Sequence, residues 1–180
     1  MPSIFSHAIF AAAAGRAYTS RRLPLRFWVL TALCAMLPDA DAVGFAFGVR
    51  YGSMFGHRGI THSIAFSLLA GALAAMLCFE RVPGFKRGRL ILYFALATFS
   101  HPLLDMLTNG GLGVALLAPF SAERYFLPWR PIEVSPIGLG FFSERGLEVM
   151  ASELVWVWIP AGLLLASATI YCRAQARTRG

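Results

Sequence analysis

The chain has 180 residues, the length of a single domain, and no segment has the composition of a linker. Hydrophobic residues make up 57% of it and charged residues 14%, proportions that lie outside the usual range of soluble proteins and predict one integral-membrane domain over 1–180. The net charge is +7, but the basic residues flank apolar runs instead of forming one patch, so direct nucleic-acid binding is not expected.

The first half of the chain contains three apolar runs. Residues 4–15 are alanine-rich and predict a helix that is too short to cross a membrane alone. Residues 25–37 form the second run, which we expect to stop at Pro38 because proline disrupts a helix. The segment 42–55 is rich in glycine and aromatic residues without a clear period, and it predicts an ordered loop that could include one helical turn. Residues 64–79 carry no charge and predict the third helix.

The second half adds two apolar runs and a loop-rich segment. Residues 90–107 form the fourth run and precede Gly110 and Gly111, which favour a break. Residues 121–136 contain three prolines and predict extended segments packed as a cap. Residues 154–171 have about the minimum length of a transmembrane helix. The predicted fold is therefore an all-α, polytopic membrane bundle of about four helices with a loop-rich cap on one side.

All histidines and aspartates of the chain lie in four short clusters within the first 105 residues. These clusters are His7; Asp39 with Asp41; His57 with His62; and His101 with Asp105. Residues four apart, such as the last two, share one face of a helix. Imidazole nitrogen and carboxylate oxygen together suit zinc, manganese or iron, and ionisable residues at membrane depth are functional by default. The pattern predicts a metal site.

The distribution of basic residues predicts the orientation of the bundle. The segments 16–26 and 80–89 and the tail after Tyr171 hold eleven of the sixteen basic residues, so by the positive-inside rule they face the cytoplasm. The helices then alternate in direction, and all seven His and Asp residues fall at outward-facing ends. Since the charge count is independent of where these residues lie, the agreement supports one shared centre on the outer side of the membrane.

Seven candidate groups exceed the four to six ligands that one metal ion takes, whereas two ions would use them. In a two-metal hydrolytic centre one ion lowers the pKa of a water molecule and the other stabilises the leaving oxygen. Asp41 or His62 could instead carry a proton. Arg58 and Arg130 could bind a substrate phosphate through their planar guanidinium groups, or could be ordinary structural or interfacial residues. Asp41, Arg58 and Arg130 are thus the candidate catalytic residues.

Each cluster also has an explanation without a metal. The two histidines of the third cluster could be hydrogen-bonded loop residues beside a helix cap. His101 could simply be oriented by Asp105. Asp39 and Asp41 could form a solvated turn, although two inward-facing carboxylates would repel each other unless a cation lay between them.

Five motifs together resemble a bacterial family of inner-membrane metal-dependent hydrolases, of which one branch is described as LexA-binding or LexA-regulated. In chain order they are Ser6-His7, Leu37-Pro38-Asp39-Ala40-Asp41, His57-Arg58-Gly59-Ile60-Thr61-His62-Ser63, Ser100-His101-Pro102-Leu103-Leu104-Asp105 and Pro128-Trp129-Arg130-Pro131-Ile132. The resemblance covers about the first 136 residues. That family is in turn distantly similar to the zinc-dependent phospholipase C and P1 nuclease group, whose helical folds bind several zinc ions and cleave phosphoesters.

The resemblance implies a ligand set, a substrate and a partner. The implied ligands of one or two divalent ions, zinc first and manganese or iron as alternatives, are His7, Asp39, His57, His62, His101 and Asp105. The implied substrate is a phosphoester, such as a phospholipid or another envelope phosphate, and a LexA-type protein is an implied partner. The chain departs from the distant group because it is shorter, more embedded in the membrane and lacks an N-terminal tryptophan ligand.

Two other functions fit parts of the pattern. A transport or metal-handling protein would line a path with polar groups at several depths, but 64–79 and 154–171 carry none beyond Ser, Thr and one Tyr. A regulatory protein that binds a LexA-type partner through its cytoplasmic turns would leave the histidines structural. The leading prediction is a metal-dependent phosphoester hydrolase on the periplasmic side of the bacterial inner membrane.

Overall fold

The computed structural model describes residues 1–19, 23–79, 86–136 and 138–177. Within these ranges the regular structure is helical, and strand-like pairing is limited to two isolated bridges, Thr108 with Ile132 and Val114 with Tyr125. The predicted all-α class is confirmed. Parts of the three basic segments that set the predicted orientation, namely 20–22, 80–85 and 178–180, lie outside the described residues.

Six α-helical segments follow one another along the described chain. They are α1 (Ile4–Tyr18), α2 (Leu25–Met36), α3 (Ile64–Cys78), α4 (Arg87–Asp105), α5 (Glu144–Glu153) and α6 (Ile159–Arg177). A π-helical turn, Leu154–Trp158, joins α5 to α6, so these two form one rod. The five resulting rods correspond to the five apolar runs of the sequence. Two stretches, Leu25–Phe47 and Glu144–Cys172, are long and apolar enough to cross a membrane.

Pro38 does not end the second helical stretch. It occupies the start of a 3-10 helix, Leu37–Phe47, which continues from α2 to Gly48. At a helix start the N–H that proline lacks has no intrahelical partner to lose, so proline is tolerated there. The prediction of a loop over 42–55 was therefore wrong for its first half. At the proline the chain changes from an α-helix to a 3-10 helix and stays helical as far as Phe47.

An aromatic core fixes α2, α3 and α4 at the end of the bundle away from the His and Asp residues. Phe27 is completely buried there and lies 4.7 Å from Tyr93 and 5.3 Å from Phe94, measured between ring centroids. Phe79 stacks on Phe94 at 5.7 Å. These rings come from the start of α2, the residue after α3 and the start of α4. The opposite ends of the same helices are thereby brought together.

The segment 106–136 covers that opposite end, and its second half, 121–136, is the segment predicted to form a cap. Its backbone is tied to the residues that follow α4, because Leu127 donates to the carbonyl of Met106 and Ile132 donates to that of Leu107. The pairing is extended, and it covers the polar end of the bundle without building a sheet.

Gly71 lets α3 and α4 approach closely. A Cβ at this position would lie 2.3 Å from the backbone nitrogen of Ala95, where no flexible side chain can yield. We expect Gly71→Ala to destabilise the fold by about 1–3 kcal/mol through overpacking, against the usual preference of helices for alanine. Gly162→Ala in α6 is the matched control, since nothing lies within 4 Å of its added Cβ. Thermal unfolding in detergent measures both, and an unchanged Tm for Gly71→Ala would contradict the prediction.

Candidate metal centre

Four helical elements bring His and Asp side chains together at the capped end of the bundle. His7 lies on the first turn of α1, Asp39 on the 3-10 helix after α2, His62 on a short 3-10 turn (Ile60–His62) before α3, and His101 and Asp105 on the last turns of α4. Because successive helices alternate in direction, these ends meet. None of the five residues is more than 8% exposed, and we name them the inner cluster.

Of five nitrogen–oxygen distances in the inner cluster, three lie within the range expected between ligands of one ion and two exceed it by at most 0.4 Å. His101 Nε2 lies 3.1 Å from Asp39 Oδ1 and 4.0 Å from Asp105 Oδ2. His62 Nε2 lies 3.7 Å from Asp39 Oδ1 and 3.5 Å from Asp105 Oδ2, and His7 Nε2 lies 3.6 Å from Asp105 Oδ1. Ligand atoms that bind one ion at about 2.0–2.2 Å are themselves roughly 3.0–3.6 Å apart.

Several buried atoms of the inner cluster have no hydrogen-bond partner among the described residues. They are both ring nitrogens of His7, Oδ2 of Asp39, Nε2 of His62 and both carboxylate oxygens of Asp105. Each buried polar atom left unsatisfied destabilises a protein by about 1–3 kcal/mol, so such a concentration calls for an explanation. A divalent cation would accept these lone pairs together. The residues present therefore fit a metal ion.

A hydrogen bond orients the His101 ring for this role. Its Nδ1 lies 2.7 Å from the carbonyl oxygen of Ala35, which can only accept, so Nδ1 carries the proton and Nε2 presents its lone pair to the inner cluster. Metal-binding histidines commonly have such a backbone partner on the second nitrogen. The His7 ring stacks on His101 with centroids 3.6 Å apart and planes 13° from parallel.

Asp41 and His57 lie beside the inner cluster, and we name them the outer pair. Asp41 Oδ1 is 2.7 Å from His57 Nδ1, while Oδ2 is 3.2 Å from His62 Nδ1 and accepts a hydrogen bond of 2.5 Å from Thr61 Oγ1. Both oxygens of Asp41 thus orient imidazole rings. The structure brings all seven predicted His and Asp residues together but divides them between these two groups, and the group formed by Asp41, His57 and His62 could hold a second ion.

Three carboxylates surround His62, and their negative charge favours a positive charge at this position. Burial by itself opposes protonation of the ring, but the nearby carboxylates of Asp105, Asp39 and Asp41 raise the pKa of His62 to about 10. A divalent cation among the same carboxylates would also balance their negative charge, and its binding would require the imidazole to lose that proton.

The two aspartates after Pro38 are expected to differ in their effect on metal binding. Asp39→Ala removes an inner-cluster oxygen and should weaken binding of the ion about 100- to 1000-fold, whereas Asp41→Ala removes a carboxylate that orients ligands and should weaken binding about 10- to 100-fold. Chelator competition on the purified variants measures both affinities, and each variant controls for the other. A larger loss in Asp41→Ala than in Asp39→Ala would reverse the assigned roles.

The two arginines predicted to be catalytic have different surroundings. Arg58 is completely buried and adopts a left-handed backbone conformation, φ 60°. Its Nε lies 3.0 Å from Asp105 Oδ2, and its Nη atoms donate to the Gly110 carbonyl and to Thr108 Oγ1. Since both Nη atoms are engaged inside the protein and Nε faces the carboxylate, Arg58 forms a buried ion pair with Asp105. Arg130 is exposed, and its guanidinium lies over the Phe126 ring at 4.8 Å, outside the inner cluster and the outer pair.

Sequence reasoning missed two charged residues that organise this end of the bundle. The guanidinium of Arg124 donates to four carbonyl groups, those of Ser53, His57, Arg58 and Gly113, and so ties the His57 loop to the cap. Glu153 is completely buried at the end of α5. The available signal for Glu153 was a single carboxylate at the edge of a long apolar run, where a charge needs a partner.

Comparisons with known proteins support the membrane location and name no reaction. No solved structure matches the chain. The chain is 40% identical over 168 residues to the Escherichia coli (strain K12) protein "Inner membrane protein YbcI", and the matched region covers 92% of the chain and 95% of that relative. The family model described as "YdjM inner membrane protein" matches residues 1–176. The chain therefore belongs to the YdjM family of inner membrane proteins.

Proposed function

We propose that this inner membrane protein is a metal-dependent hydrolase that cleaves a phosphoester. The observation that carries the proposal is the set of unsatisfied, buried His and Asp atoms that separate helices present to one another in the inner cluster. Hydrogen bonds explain the outer pair, whereas six nitrogen and oxygen atoms of the inner cluster have no hydrogen-bond partner among the described residues. Structural histidines would be expected to have their ring nitrogens satisfied within the fold.

The inner cluster would hold the ion, with zinc as the first expectation and manganese or iron as alternatives. When bound, such an ion makes a water molecule nucleophilic near neutral pH and stabilises charge that develops on a phosphate. A second ion would use the group formed by His57, Asp41 and His62. The burial of the inner-cluster residues limits the access of bulk water to the site.

The outer pair suits proton transfer if a single ion is bound. Asp41 holds Nδ1 of His57 at 2.7 Å, which fixes the ring and leaves Nε2 as the atom that accepts a proton. A carboxylate that orients an imidazole base is a recurring arrangement in hydrolases. Asp41 would then take part in the reaction, as predicted from the sequence, by orienting the His57 ring.

The substrate we favour is a lipid phosphoester, because an apolar crevice adjoins the site. The crevice has a volume of about 220 Å³ and is lined by α1 and α4, the helices that carry His7 and His101. Its lining includes Ala11, one turn after His7, and Ser100, which precedes His101. A hydrocarbon chain in this crevice would bring its phosphate to the end of the bundle where the ligands lie.

We further propose that the protein crosses the inner membrane several times with the metal centre on the periplasmic side. The basic load of the segments opposite the site supports this orientation. A reporter fused after Gly180 should be cytoplasmic, and a periplasmic reporter would overturn the orientation. A LexA-type partner stays a prediction from the family resemblance, and part of the turns that would bind it lies outside the described residues.

Metal analysis of the purified protein tests the proposed function. We expect one or two transition-metal ions per wild-type chain, loss of metal in His101→Ala, and at least one retained ion in His57→Ala. Hydrolysis of phospholipids and of small phosphoesters should then fall in both variants. A wild-type protein without bound transition metal, or metal content unchanged in both variants, would remove the enzyme proposal.

A further inference from the structure

Glu153 is a completely buried carboxylate within the long apolar stretch Glu144–Cys172. An ionisable group at this depth is strongly unfavourable unless it is well hydrogen-bonded, so its partners define its role. Its Oε1 accepts a hydrogen bond from the backbone N–H of Ser3, and its Oε2 accepts bonds from the hydroxyl groups of Ser3 (2.5 Å) and Ser6 (2.6 Å). All three donors belong to the beginning of α1.

The start of α1 has no cap of its own. Ser3 is the residue before the helix, yet its side chain does not accept a hydrogen bond from the first turn as a serine there usually does. The unpaired N–H groups and the helix dipole favour a negative charge at this end. Glu153, which is 150 residues away along the chain, supplies a hydrogen-bond acceptor there.

The π-helical turn between α5 and α6 places a second side chain, that of Trp158, at the beginning of α1. It spans Leu154–Trp158, directly after Glu153, and the indole Nε1 of Trp158 donates to Ser6 Oγ at 2.7 Å. The Ser6 hydroxyl therefore forms hydrogen bonds with residues at both ends of the π-helical turn, Glu153 and Trp158. Such turns are rare and concentrate at functional sites. We call Glu153, Trp158, Ser3 and Ser6 the α1 latch.

The residue that follows Ser6 in the chain is His7, so the α1 latch lies directly beside a member of the inner cluster. The other inner-cluster histidines have their second nitrogen engaged, His101 by the Ala35 carbonyl and His62 by Asp41. Neither ring nitrogen of His7 has a hydrogen-bond partner among the described residues. Its position depends on the backbone of α1, on the stack with His101 and on the contact of its Nε2 with Asp105 Oδ1 at 3.6 Å.

We propose that Glu153 is a positioning residue, which holds His7 at the metal centre by capping α1 from the last membrane helix. The role of His7 as a ligand rests on the proposed function, whereas the contacts of the α1 latch do not. Removal of the latch should therefore disturb His7 first and metal affinity as a consequence.

The test uses the full-length chain in detergent, with histidines labelled with ¹⁵N and with zinc ions alone as the ligand. The chain has four histidines, so each ring signal can be assigned by substitution. Glu153→Gln and Ser6→Ala each remove part of the latch, and alanine at position 6 favours the helix if the first variant does not fold. Glu148→Gln, on an exposed carboxylate of the same helix, is the matched control.

We expect the metal-free His7 signal to shift in Glu153→Gln and Ser6→Ala and to stay unchanged in Glu148→Gln. Zinc affinity should fall about 10- to 100-fold in the first two variants, as it does when a group that orients a ligand is removed. An unmoved His7 signal, or an affinity within about twofold of wild type despite a shift, would overturn the proposal. If the wild type binds no metal, the proposed function fails, and the His7 signal by itself decides whether the latch holds His7.

Discussion

His62→Ala is expected to lower the affinity for the metal ion about 100- to 1000-fold. The Nε2 atom of His62 faces both Asp39 and Asp105, and its Nδ1 faces Asp41, so no other histidine of the site contacts all three aspartates. Binding of a structural zinc ion, which has four ligands, contributes about 10–16 kcal/mol, so each of the four inner-cluster residues that bind it accounts for about 2.5–4 kcal/mol. Chelator competition with zinc measures the change, and loss of phosphoester hydrolysis should accompany it.

His57→Ala is the matched control for this variant, because it removes an imidazole from the outer pair and leaves the inner cluster intact. We expect the affinity of the inner-cluster ion to change by less than in His62→Ala. Circular dichroism should confirm that both variants keep their helices. Wild-type zinc affinity in a folded His62→Ala protein would contradict the assignment of the inner cluster.

Asp105→Ala is expected to destabilise the fold by about 3–5 kcal/mol in addition to removing the metal ion. Asp105 and Arg58 are both completely buried, and Nε of the arginine lies 3.0 Å from Oδ2 of the aspartate. Without its partner the guanidinium is an uncompensated buried charge, which is far less favourable than no charge at all. Thermal or denaturant unfolding of the metal-free protein in detergent measures the loss.

A double variant separates the two roles of Asp105. Asp105→Leu combined with Arg58→Met replaces the ion pair by apolar side chains, and it should recover most of the stability without recovering metal binding. Arg130→Ala is the control for the loss of an arginine, since its exposed side chain should change stability by about 0.5 kcal/mol or less. A stable Asp105→Ala protein would show that Arg58 has another compensating partner.

The positions of most helices and of the candidate ligands could be predicted from the sequence because of its apolar runs, although α5 (Glu144–Glu153) was not predicted and the expected count was about four helices. The five runs became five rods, and their alternation was enough to predict that His7 and His101 lie at the same end. The continuation past Pro38 could not be predicted, since proline is compatible both with a helix end and with the start of a new turn. Packing against the rest of the bundle decided between them.

The roles of individual side chains were harder to predict because they depend on contacts between distant residues. Asp39 and Asp41 are two residues apart on a helix with about three residues per turn, so they point in different directions, and only one faces the inner cluster. The sequence does not specify that helix type. The sequence was compatible with a contact between Arg58 and a substrate. In the structure its guanidinium instead faces Asp105, Thr108 and the Gly110 carbonyl.

By itself the sequence determined the class of the protein, the chemical type of its candidate ligands and the end of the bundle where they lie. These properties follow from composition, hydrophobic length and charge distribution, which are local. The tertiary structure decided which atoms face one another, including the division between the inner cluster and the outer pair and the capping of α1 by Glu153. Those relations join residues up to 150 positions apart, so they exist only once the helices have packed.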